Sequence, residues 1–338
     1  MKQVVLNQYP SGAPAIDDFR VEEIEMPVVG QGQFLLRSIF LGIEPRQRPM
    51  LNPTTDDNRE MRPHGAPCGP GRVIPGSALG EVVESRHADF AVGDLVEGFW
   101  GWSEYVVTDG SPHPTNNPAG CQVRDPGLGA PEHHLGLFGL PGITAFLAVE
   151  GEGKLQTGET MVVSTAAGMV GSIAAQLGKL AGARVVGLTS LDTKCDYLRD
   201  ELNLDAAINY RTAVDLSAAV AAACPQGVDY FFDNCGGPIA EAVLAHMNNN
   251  ARYTGCGFVA HYNQSQWGQS DHFRGMFSVH QHVPEYGRAR RSLADLLRNG
   301  QLRYRTTVFE GLEEAPRALI DLLDGKNIGK YLVRVGQV

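Results

Sequence analysis

Ala166-Ala167-Gly168-Met169-Val170-Gly171 sets two glycines three residues apart, directly after the apolar run Met161-Val162-Val163. A strand, a tight turn and a helix start in that order leave free backbone N–H groups at the helix N-terminus. Those groups and the macrodipole favour an anion. Gly168 would let the main chain approach a pyrophosphate, and Gly171 would let the helix pack closely on its strand. Alanine can stand first in the turn if its φ stays negative. Lys194 stands 23 residues past Gly171. The strand before it ends Val186-Gly187-Leu188-Thr189-Ser190, so no acid is placed to bond a ribose 2′-hydroxyl. Lys194, in the first turn of the next helical pattern, can reach a 2′-phosphate instead, although Asp192 works against this. Turn and lysine together point to NADP(H), and so to hydride chemistry.

The rest of the chain must hold these residues in place and bounds what else it can do. Its 338 residues allow a large core and more than one domain. Net charge of -10 argues against nucleic acid or an anionic membrane as partner. No stretch approaches the roughly 20 apolar residues that span a bilayer. The apolar run at the N-terminus is too short for a signal sequence, so a cytoplasmic protein is expected. Six cysteines, Cys68, Cys121, Cys195, Cys224, Cys235 and Cys256, show no C-x-x-C spacing. Neither they nor His64 and His87 suggest a metal site or a disulfide framework, and no metal is expected.

Short alternating runs predict a mainly β first part, with strands at Gln3–Asn7, Gln33–Phe40, Leu79–Ser85, Leu95–Gly98 and Ser103–Val107. Pro53 to Pro75 has no clean period and reads as a long loop. From about Leu140 the pattern changes. Strands at Thr160–Ser164, Arg184–Thr189, Ala206–Asn209, Val228–Asp233 and Arg252–Cys256 alternate with helices at Gly171–Ala181, Thr193–Leu202, Ala213–Ala223 and Ile239–Met247. That alternation predicts an α/β fold, a doubly wound parallel sheet with helices on both faces. A helix at Glu285–Arg298, a strand at Leu302–Phe309, a helix at Leu312–Leu323 and a final strand at Gly329–Val335 follow, the last returning to the first β part.

Several segments carry a family resemblance. They are Gly139-Leu140-Pro141-Gly142-Ile143-Thr144-Ala145, the Ala166–Ser172 turn, Ile208-Asn209-Tyr210, Phe232 to Gly237, Gly255-Cys256-Gly257 with Tyr262-Asn263, and Asn327-Ile328-Gly329-Lys330. In this order they resemble the zinc-independent medium-chain dehydrogenase/reductases, in the prostaglandin reductase/alkenal double-bond reductase branch. The resemblance implies a Rossmann NADP-binding domain over residues 131–300. It also implies a mainly β, GroES-like catalytic domain built from 1–130 and 301–338. NADPH is the implied cofactor, an enone or enal the implied substrate, and a homodimer the implied assembly. Gly168, Met169, Val170 and Gly171 would hold the pyrophosphate, and Lys194 and Tyr210 would contact the 2′-phosphate. Asn234 would lie beside the cofactor ribose, or simply close a strand end. Cys256, Gly257 and Tyr262 would line the nicotinamide side, with Met276, Phe277 and Ser278 flanking its carboxamide and Asn327 returning from the C-terminus.

The implied reaction is hydride transfer to the β-carbon of an α,β-unsaturated ketone or aldehyde. Charge developing on the carbonyl oxygen needs a placed donor, and Tyr262 is the candidate catalytic residue, a neutral phenol at pH 7. A quinone reductase of the same superfamily and a non-catalytic NADPH-binding redox sensor stay open beside it. One stretch departs from the resemblance. Where the family carries Asp-Pro-Tyr-Met-Arg, this chain has Glu44-Pro45-Arg46-Gln47-Arg48. Arg46 in the tyrosine's place either binds a polar or anionic substrate group or is a solvated loop residue.

Overall fold

In the computed structural model, residues 1–53, 68–113, 117–263 and 276–336 are described. Residues 54–67 of the expected loop, with His64, lie outside them. The N-terminal part contributes β1 (Lys2–Leu6), β2 (Phe19–Glu23), β3 (Phe34–Ile43), α1 (Gln47–Met50), β4 (Ser77–Ser85), β5 (Leu95–Phe99), β6 (Tyr105–Thr108) and β7 (Gln122–Val123). The middle adds α2 (Leu140–Ala148), β8 (Thr160–Val163), α3 (Met169–Leu180), β9 (Arg184–Thr189), α4 (Asp192–Asp196), β10 (Ala206–Asn209), α5 (Leu216–Ala223), β11 (Val228–Asp233), α6 (Gly237–Leu244) and β12 (Met247–Gly255). The chain closes with α7 (Tyr286–Arg298), β13 (Thr306–Glu310), α8 (Ala315–Leu323) and β14 (Lys330–Arg334).

Two sheets dominate. The five-stranded one runs β10-β9-β8-β11-β12 with every pairing parallel. Residues of each strand alternate between two helical layers, as the two-residue period of a strand requires. Met161, Val163, Val185, Tyr230 and Phe232 share one core with residues of α2, α3 and α7. Val162, Val186 and Phe231 face the other way, onto Val220 of α5 and Ala240 and Val243 of α6. The chain starts at central β8, winds outward to β10, then crosses to β11. The ends of β8 and β11 therefore form a switch point, where open α/β sheets bind ligands.

The seven-stranded sheet runs β13-β14-β3-β4-β5-β7, with β6 also on β3. Its last strand closes the topology, because β14 pairs antiparallel with β3, Leu332 opposite Gly42. The expected return of the C-terminus to the first β part is therefore present. β1 and β2 form a separate antiparallel pair.

Departures from the expected elements have local causes. β2 was not expected, because it is only five residues long and carries Arg20, Glu22 and Glu23. β12 starts at Met247, within the run expected to be helical, while α6 stops at Leu244. Asparagines at 248–250 carry little strand signal, Asn250 has φ +66°, and the pairing slips between Val228 and Tyr230. The helix expected over Thr193–Leu202 is α up to Asp196 and a π turn after it. β13 starts at Thr306, later than expected.

The α3 turn depends on a missing side chain. A Cβ on Gly171 would sit 2.6 Å from the Thr165 carbonyl oxygen and 2.9 Å from Ala166 Cα, so backbone would have to move. Gly12 has open space around it. Gly171→Ala should destabilise by about 1–3 kcal/mol through overpacking, whereas Gly12→Ala should stay within about 0.5 kcal/mol. Denaturant midpoints of the two variants check this, and equal midpoints would contradict it.

Candidate active site

A cleft lies between the two sheets, over the carboxyl ends of β8, β9, β10 and β11. Its far wall is the β3–α1 corner, Ile43 to Arg46, with Lys330 at the head of β14. All the residues singled out from the sequence line this one cleft. Gly168, Met169, Val170 and Gly171 stand at the turn, and Lys194 and Tyr210 at one end. Asn234, Cys256, Gly257, Tyr262, Met276, Phe277, Ser278, Asn327 and Arg46 complete the set.

The turn holds its shape without a leading glycine because Thr165, not Ala166, takes the left-handed backbone, with φ +47°. Gly168 caps α3 in extended conformation, φ -76° and ψ 170°. A Cβ on it would meet protein only at Thr165 O, 3.3 Å, and Asn327 Nδ2, 4.0 Å. The C-terminal segment comes back to this turn: Gly329 N–H donates to Ala167 O at 2.8 Å, and Asn327 Nδ2 to Gly329 O at 3.1 Å.

At the Lys194 end the charge is one-sided. Lys194 is 4% exposed, and no carboxylate pairs with it among the described residues. Burial, then the charge of Arg211, pulls its ammonium down to about 8. Asp192 is engaged elsewhere, accepting from Asn209 Nδ2 at 2.8 Å. Arg211 lines the cleft beside Tyr210 and donates to Asp324 O at 3.0 Å. Sequence reading missed it, having weighed only the end of the second strand. Its signal was its place, immediately after Tyr210 at the end of the third. Burial raises the Tyr210 phenol, so it stays a neutral hydroxyl.

At the other end Asp233, fully buried, organises the close of β11. It accepts from Ser164 Oγ at 2.6 Å, Cys235 N at 2.9 Å, Gly236 N at 3.1 Å and Tyr253 Oη at 3.2 Å. Asn234 Nδ2 donates to Ser164 O at 2.9 Å, so this side chain closes a strand end while also lining the cleft. Phe277 N–H donates to Gly255 O at 2.9 Å, which brings Met276 to Ser278 against the end of β12. Burial, then Asp233, pushes the Cys256 thiol up, away from a nucleophilic thiolate. Tyr262 is 3% exposed, and burial raises its phenol to about 12. The Phe258 N–H approaches Tyr262 Oη at 3.4 Å.

Arg46 is not a solvated loop residue. Its Nε donates to Glu44 Oε2 at 2.6 Å, and its guanidinium lies 4.8 Å above the Phe99 ring. Glu44, Lys330 and His280, all lining the cleft around it, were also missed. Glu44 and Lys330 are 286 residues apart in sequence, and only the β14–β3 pairing brings them together.

Comparison with known proteins follows the same lines. Two family models match: an N-terminal domain of oxidoreductase over residues 2–114 and a zinc-binding dehydrogenase over 169–285. The chain is 32% identical to the NADPH-dependent curcumin reductase of Escherichia coli (strain K12), over 98% of this chain and 96% of that one. It is 31% identical to the NADP(+)-dependent 2-alkenal reductase of Nicotiana tabacum, over 99% and 98%. The chain belongs to the zinc-independent medium-chain dehydrogenase/reductases, in their alkenal and prostaglandin reductase branch. Its structure superposes on that of CurA from Vibrio vulnificus in complex with NADPH with TM-score 0.88 at 31% identity, covering both chains completely. Among the described residues, no three His, Cys, Asp or Glu side chains are grouped as metal ligands would be.

The one-sided charge has a pH consequence. A 2′-phosphate dianion received at Lys194 would require the protonated amine, so affinity for the 2′-phosphorylated nucleotide should fall above pH 8 as the free protein's lysine discharges. The fall should approach roughly tenfold per pH unit, while NADH affinity stays flat. Calorimetry at pH 7 and pH 9.5 in buffers of differing ionisation enthalpy should show proton uptake at the higher pH. Parallel pH profiles for the two nucleotides would refute it.

Proposed function

We propose that this protein is an NADPH-dependent reductase of the C=C bond of α,β-unsaturated ketones and aldehydes, acting by hydride transfer to the β-carbon. The observation carrying this reading is the buried ammonium of Lys194, which has no carboxylate partner among the described residues, in the same cleft as a glycine turn and the neutral phenol of Tyr262. The cleft fits NADPH on its own terms. Gly168 leaves open the space over the first turn of the 12-residue helix α3. Lys194 and Arg211, with Tyr210 lining the cleft beside Arg211, supply the charge that a 2′-phosphate would satisfy. The cofactor assignment agrees with NADP-dependent relatives on both sides of the comparison.

When bound, the reduced nicotinamide supplies the hydride. The chain's own task is to hold the enone and meet the negative charge that grows on its carbonyl oxygen. Tyr262 supports that role, since burial keeps its phenol protonated far above neutral pH and a preorganised neutral donor in a dry cleft is worth more than one in water. Cys256, Gly257 and Met276 to Ser278 shape the nicotinamide side, Asn234 the ribose side, and Asn327 the path back to the glycine turn. The working division is a nucleotide-binding domain over 131–300 and a GroES-like catalytic domain from 1–130 and 301–338. Leu135 still packs with Ile39, Phe40 and Leu332 of the latter. The protein is proposed to act in the cytoplasm as a homodimer joined along β12. That strand ends the parallel sheet, with β11 laddered on one side and, among the described residues, only a bridge of Gly255 to Met276 on the other, and an open edge is a pairing template.

NADPH consumption across enones, enals, quinones and nitroalkenes tests the reading, with aliphatic enones and enals expected as the preferred acceptors. A protein that retains NADPH yet oxidises it with none of them would overturn it. Tyr262→Phe should lower kcat by roughly 10²-fold, the scale of losing one oxyanion donor, with NADPH affinity near that of the parent. Unchanged kcat would remove Tyr262 from the mechanism.

A further inference from the structure

At the end of the cleft away from Lys194, cations outnumber carboxylates and one of them is left short of acceptors. Glu44 Oε1 accepts from Ser77 Oγ at 2.7 Å and from Lys330 Nζ at 3.2 Å, and its Oε2 accepts from Arg46 Nε at 2.6 Å. Burial opposes ionisation of Glu44, but the charges of Arg46 and Lys330 outweigh it and hold the carboxyl well below the usual range. Glu97, close enough to act on Lys330, is already shared by Arg124 at 2.7 Å and Arg290 at 4.0 Å. Among the described residues, two carboxylates thus face four cations.

The surplus is concentrated at Arg46. Of its donors only Nε meets a protein acceptor among the described residues, and Nη2 is buried with no hydrogen-bond partner. The Phe99 ring packs against the guanidinium, its centroid 4.8 Å from Arg46 Cζ. His280 lines the same end and its Nδ1 is likewise buried and unpartnered. Arg46, His280 and Tyr262 all line this cleft, and the charge of Arg46 acts on both of the other groups. Burial, and then Arg46, draws His280 down to about 4, which leaves the ring neutral at pH 7. A buried N–H on a cation is costly until an acceptor meets it. The planar fork of an arginine is matched best by a carboxylate.

We propose that the substrate carries a carboxylate, received by Arg46 Nη2 with the Nδ1–H tautomer of His280 as second donor. The enzyme thus selects enones or enals bearing an acid group over wholly apolar ones. This rests on the reductase reading above and names its substrate class. Arg46 sets specificity and takes no part in the hydride step.

The test compares pairs of aliphatic enones that differ only in a free carboxylate against its methyl ester. Two methylene groups separate that group from the conjugated system, on the β-carbon side in one pair and on the acyl side in the other, so alkene reactivity stays equal. For at least one pair, kcat/KM should favour the acid at least tenfold, mainly through KM, and added salt should erode the preference. Arg46→Gln should bring the ratio to within about twofold of one. Calorimetry of the saturated keto acids and keto esters on the NADP+-bound protein reads the same preference without turnover. Equal binding of acid and ester in both pairs, or a preference that survives Arg46→Gln, would overturn the proposal while enone reduction stands. Selective binding of the acid with no NADPH oxidation by any enone would instead sink the reductase reading and leave the anion site in place.

Discussion

A charge taken out of water needs a counter-charge, and the cleft leaves that requirement open at both of its ends. Lys194 is buried beside Arg211 with no acid paired to it among the described residues, and Arg46 is buried beside an acid already engaged by Ser77 and Lys330. Placing cations this way costs folding free energy that a single chain does not recover by itself. An anion bound at either end would recover it. The overall charge of -10 makes these two places stand out all the more, since the surplus is local and sits inside the molecule.

The fold supplies the rigidity that such placement demands. Glycine-turn geometry is held by a left-handed Thr165, by the close approach of Gly171 to the Thr165 carbonyl, and by Gly329 bonding back to Ala167. Tyr262 is steadied from the other side. Arg48, fully inside the protein, donates to Asn263 Oδ1 and to Gly12 O, each at 3.1 Å. It thereby links the β3–α1 corner to the loop that carries the phenol. Both walls of the cleft are thus built from segments that cross between the sheets, and movement of one would shift the donors of the other.

Much of this was legible along the chain. Strands with a two-residue period, helices between them, and the strand–glycine–helix passage all depend on neighbours in sequence, so the parallel sheet and the turn could be read directly. Elements with weak local signal escaped. β2 is short and charged, and β12 begins on asparagines, so their pairing partners, not their own residues, make them strands. Arg211, Glu44, Lys330 and His280 escaped for a related reason. Each is an ordinary polar residue until its partner is known.

By itself, the sequence determined the α/β winding, the glycine turn at the head of α3 and the absence of an acid at the end of β9, because these rest on short-range backbone geometry and residue type. Only the tertiary structure decided how Arg46 is used. Pairing of β14 with β3 brings Lys330 to Glu44 across 286 residues. That contact takes Oε1 of Glu44, so the carboxylate meets the guanidinium only at Nε, through Oε2. Whether a charge is quenched or left over is a property of the assembled neighbourhood, since Coulomb energy depends on distance and burial, which no linear spacing encodes.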